Sequence, residues 1–106
     1  MVEFDWNPDG PTLTCRFSAR MDAATSSADD PTVAARLGEA LAAPRGEDLR
    51  VVFDLSGVEF VASAFLRICM TTAKRAGSGR FEVAFASPQL KKIFNVAGLD
   101  GSFLVR

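Results

Sequence analysis

Two hydrophobic periods divide the chain. Val2, Phe4 and Trp6 alternate with Glu3 and Asp5, the period-two pattern of a half-buried strand. Asn7-Pro8-Asp9-Gly10-Pro11 is dense in turn formers. Leu13, Cys15 and Phe17 then alternate with Thr12, Thr14, Arg16 and Ser18, so the two runs predict a hairpin. Residues 19–30 are small and polar, show neither period, and read as a loop. Asp30-Pro31 supplies an N-cap followed by a first-turn proline. The helix predicted after it carries Val33, Ala34, Leu37, Ala40 and Leu41 on one face and stops at Pro44-Arg45-Gly46.

The second half repeats the alternation of strand and helix. Val51 to Leu55 is a short, almost continuous apolar run, as in a central parallel strand. Ser56-Gly57 turns the chain toward a helix predicted over about Ala62 to Ala76. There Phe65, Leu66, Cys69, Met70 and Ala73 share an arc, Arg67, Thr71, Lys74 and Arg75 lie opposite, and Ile68 sits at the border. Phe81, Val83 and Phe85 form a strand pattern. Ser87-Pro88 opens a third helix with Leu90, Ile93, Phe94 and Ala97 inward and Lys91, Lys92 and Asn95 outward; the two lysines read as a solvated face. Gly98 suits its C-terminal end, and Phe103 to Val105 is a last strand. Strands alternating with helices imply right-handed parallel crossovers, with the hairpin as an antiparallel edge. The expected fold is a single α/β domain over residues 1–106, with a mixed, mostly parallel sheet and helices mainly on one face.

Composition narrows the function. The 106 residues suffice for one domain, and 48% hydrophobic with 24% charged residues is a globular profile. A net charge of -1 gives no basic field for nucleic acid. The chain has no histidine and only Cys15 and Cys69, so neither a histidine base, a metal site nor a cofactor is expected. Both cysteines fall on apolar faces and read as buried, inert thiols. No run reaches the roughly 20 apolar residues of a membrane span. The first residues lack a signal-peptide pattern, and a reduced cytoplasmic setting is expected. Asp22 and Asp54 could form an acid–base pair, but Asp54 is better placed to accept N–H groups of the Ser56-Gly57 turn, and no nucleophile–base arrangement accompanies them. A non-enzymatic role is therefore expected.

Three segments carry a resemblance: Arg20-Met21-Asp22-Ala23-Ala24-Thr25, the stretch Val51 to Leu66, and Leu90 to Asp100 ending in Ala-Gly-Leu-Asp. In this order they resemble the STAS domain family of bacterial anti-sigma factor antagonists. The middle segment is similar to the family's apolar strand, its Asp-Leu-Ser-Gly-Val turn and its Asp-Ser-Ser-Gly-Leu helix start. The resemblance implies a partner that is both anti-sigma factor and serine kinase, a phosphoacceptor at Ser63, and an acidic loop residue at Asp22. The sequence departs from the family at the site itself. Ala62 replaces an aspartate, Ala64 replaces the second serine, and Phe65 and Arg67 replace residues that are usually glycine.

Physical chemistry supports a serine at that place. A helix start presents unpaired N–H groups and the positive dipole end, which would hold a phosphate. Phosphorylation would add about two negative charges to a contact surface. Ser63 is equally suited to be a plain N-cap. The expected partner surface comprises Asp22, Ser56, Gly57, Phe60, Ala62, Ala64 and Arg67. Phe60 would be an aromatic anchor and Arg67 a cation for an acidic partner or a phosphate, unless it is merely solvated. Two other readings stay open. One is an unphosphorylated STAS scaffold, expected from Ala62, Ala64 and the lack of a further helix after the last strand, which would assemble with signalling proteins or as a homodimer. The other is a module for a small ligand or lipid.

Overall fold

The computed structural model describes residues 2–106. Strand β1 (Glu3–Asn7) pairs antiparallel with β2 (Thr12–Arg16), Phe4 opposite Cys15 and Trp6 opposite Leu13. Next to β2 lie β4 (Arg50–Asp54), β6 (Phe81–Ala84) and β7 (Leu104–Val105), all parallel, in the order β1-β2-β4-β6-β7. Every parallel connection steps in the same direction across the sheet. Right-handed crossovers therefore place α1 (Ala23–Ala42), α2 (Ser63–Ala76) and α3 (Pro88–Val96) on one face.

The register explains the core. Leu13, Val51 and Phe81 are aligned across three strands, as are Cys15, Phe53 and Val83, and all six are buried. They meet Val33 and Leu37 of α1, Phe65, Ile68 and Cys69 of α2, and Leu90 and Phe94 of α3. A chain of rings runs through this core. Phe17 meets Phe53 at 4.8 Å, Phe53 meets Phe81 at 4.9 Å, and Phe81 meets Phe103 at 4.9 Å, each edge to face. The opposite sheet face carries Thr12, Thr14, Arg16, Val52, Asp54 and Glu82, all half-buried.

Several expectations need correction. Helix α1 begins at Ala23, not after Asp30, and Pro31 lies inside it. Its buried stripe runs Ser26, Asp29, Val33, Leu37, Ala40, so polar side chains occupy the first inward positions and hide the helical period; Ala34 is exposed. Two short strands, β3 (Arg20–Met21) and β5 (Phe60–Val61), form a separate parallel pair where a loop and a lead-in were expected. On α2, Ile68 is buried and Met70 exposed, the reverse of the predicted arc. Strand β6 stops at Ala84, because Phe85 takes a left-handed φ of 60° and turns out to solvent; on α3, Ile93 and Ala97 are exposed as well.

Candidate functional site

The small β3–β5 sheet builds the site. Met21 pairs with Val61, so the next residues, Asp22 and Ala62, stand side by side as the N-caps of α1 and α2. The Ala62 N–H donates to the Met21 carbonyl at 2.9 Å, and the Glu59 N–H donates to the Ala19 carbonyl at 2.7 Å. The Arg20 guanidinium lies 4.8 Å over the Phe60 ring, tying the two strands on the outside. Two helix amino ends are thereby held parallel and adjacent.

They are finished differently. Asp22 Oδ1 accepts from the Thr25 N–H at 2.9 Å. That backbone hydrogen bond holds the Asp22 carboxyl below its ordinary range, so the cap stays charged. Ala62 has the extended backbone of an N-cap and no side chain to accept, so among the described residues no side chain caps α2, and the Phe65 N–H turns instead to the Ala62 carbonyl at 3.0 Å. Ser63 is not the cap, contrary to one sequence expectation. It is the first helical residue and is exposed, and its hydroxyl makes no hydrogen bond among the described residues.

The remaining expected residues gather around this edge. Ala64 is half-buried and Arg67 exposed; both line a cleft of about 170 Å³ with Ser26, Ser27 and Asp30 of α1. Phe60 is 39% exposed. Ser56 and Gly57 form an exposed turn after β4, and the Ser56 N–H donates to Asp54 Oδ1 at 2.9 Å. The Asp54 and Asp22 carboxylates are thus each engaged with local backbone rather than with one another. Cys15 and Cys69 are buried, and burial pushes the Cys15 thiol up to about 12 and raises the Cys69 thiol well above its ordinary value.

Sequence reasoning missed Arg20, Met21 and Val61 as the residues that align the two helix starts. Their signal is faint but present: Arg-Met-Asp-Ala and Phe-Val-Ala-Ser are two equivalent junctions, each a polar or aromatic residue, a buried apolar one, a cap and a helix start.

The profile of the family described as Mlab, STAS domain matches residues 18–106, and the chain belongs to this STAS family. An anti-sigma factor antagonist from Mycobacterium paratuberculosis has 25% identity and a TM-score of 0.79 over 99% of this chain and 83% of that one. An anti-sigma-factor antagonist (STAS) domain protein from Planctomyces limnophilus has 20% identity and a TM-score of 0.79, covering 98% of this chain and 87% of its own. The Bacillus cell fate determinant SpoIIAA in its phosphorylated form has 13% identity and a TM-score of 0.67, covering 100% and 91%. The last two likenesses establish the fold. Among curated proteins none matches.

Proposed function

We propose that this STAS domain is a cytoplasmic regulatory interaction module of the anti-sigma factor antagonist type. Its partner is an anti-sigma factor with serine kinase activity, and it docks at the adjoining starts of α1 and α2, with Ser63 as phosphoacceptor. One observation carries this reading: the Ser63 hydroxyl stands exposed at the first position of α2, beside a helix start already occupied by the Asp22 carboxylate. A phosphate there would face the uncapped N–H groups of α2 and lie one helical turn from Arg67. It would also raise the negative charge next to Asp22 and repel a partner that tolerates one carboxylate but not two further charges.

The test is incubation with the candidate kinase and ATP, followed by intact mass. The expected result is a gain of one phosphate that Ser63→Ala abolishes, and weaker partner binding by Ser63→Asp. An unchanged mass under conditions where a control substrate reacts removes the switch. A second reading is favoured by Ala62 and Ala64, which leave Ser63 without polar side chains on either side. It is a constitutive docking module that binds its partner without modification. Partner binding with no phosphate gained under any kinase condition would select it.

A further inference from the structure

A groove of about 640 Å³ runs between α3 and the β5–α2 junction. Phe60 and Leu66 line one wall, Ile93 and Val96 the other, and the lining is mostly apolar. Val96 is 77% exposed, although α3 is only nine residues long and has just Leu90 and Phe94 buried in the core. Glu59 lines the first wall and Lys92 the second, and neither forms an ion pair among the described residues.

We propose that this groove is a self-association surface, and that its occupant is the α3 helix of a second copy of this chain. A two-fold contact requires a patch complementary to itself. This patch has that property: a ridge (Ile93 and Val96), a hollow beside it, and one charge of each sign on opposite walls. Laying α3 of one copy into the groove of the other brings each Lys92 toward the Glu59 wall of its neighbour, so one attraction occurs twice. A contact centred on one nine-residue helix is expected in the transient class, below about 1,200 Å² of buried surface, so association is expected at high protein concentration. The proposal goes beyond the docking reading above because it needs no other protein and does not involve Ser63.

Sedimentation equilibrium of the full chain over a concentration series tests it. The expected result is a weight-average mass rising from one chain toward two. Val96→Asp is expected to hold the mass at one chain with an unchanged thermal melt, since that side chain is already in solvent. Glu59→Lys and Lys92→Glu are each expected to weaken association about fivefold or more, and the double exchange to restore it to within about twofold. A single-chain mass at every concentration overturns the proposal and leaves the groove to a foreign partner. Unaltered association of Val96→Asp, or a double exchange as weak as the single ones, overturns it too. None of these outcomes bears on phosphate transfer to Ser63, so the two readings fail separately.

Discussion

Asp22 and Ala62 occupy equivalent positions in two strand–helix junctions, and one side chain separates a capped helix from an uncapped one. Asp22→Ala removes the acceptor of the Thr25 N–H and is expected to lower the urea midpoint. Ala62→Asp should work in the opposite direction, adding about 0.5–2 kcal/mol by capping α2. It would also place a charge where the phosphate of Ser63 would sit, so the gain in stability should come with weaker partner binding. The Asp22 cap has a pH signature. Its carboxyl titrates lower in the folded chain than in the unfolded one, so its contribution is complete above about pH 4 and fades as acid protonates the folded carboxylate. The difference between parent and Asp22→Ala should therefore shrink below that pH and stay constant above it.

At the scale of elements, α2 and α3 were legible because their inward positions are apolar except for Thr72, and their flanks carry Gly77 and the Ser87-Pro88 start. The first two turns of α1 were not. Ser26 and Asp29 occupy the buried stripe there, and Pro31 imitates a helix start while standing in the interior. The β3 and β5 strands have two residues each, too short for any period to show. The proline gives a direct check. It offers no N–H to the preceding turn and crowds it, a defect worth up to about 3 kcal/mol in an isolated helix. Because Pro31 is exposed, Pro31→Ala removes no core contact and should raise stability by about 1–3 kcal/mol in chemical denaturation. The far end of α1 makes the opposite demand. Gly46 is buried where an added Cβ would collide with the Leu41 carbonyl oxygen, so Gly46→Ala should cost about 1–3 kcal/mol in the same assay.

At the scale of the whole molecule, one sheet face receives all three helices, and their amino ends collect along the edge that presents Ser63. That placement follows from the order of strands and helices, which is why the fold was legible in the sequence; Ser63 is singled out by the resemblance of its helix start to the family motif, not by the periodicity. The groove beside α3 was not legible. Helical spacing assigns Ile93 and Ala97 inward, whereas the third helix keeps only Leu90 and Phe94 in the core. Stability and site meet in the ring chain: Phe17 touches both Phe53 and the Phe65 of the first α2 turn, the latter at 4.9 Å. Phe53→Ala would open a cavity under that turn and is expected to cost about 3–5 kcal/mol. A domain of this size has only about 5–15 kcal/mol in total, so the melting temperature should fall by roughly 12 °C or more. Phe60→Ala supplies the contrast, because its ring is 39% exposed: it removes the Arg20 contact, worth about 0.5–1 kcal/mol, and part of the groove wall, and should cost less than Phe53→Ala. Calorimetry on the two variants separates a core ring from a surface ring. Equal losses would mean that Phe53 is not what seats α2 on the sheet, and that the Ser63 edge is held by the β3–β5 pair alone.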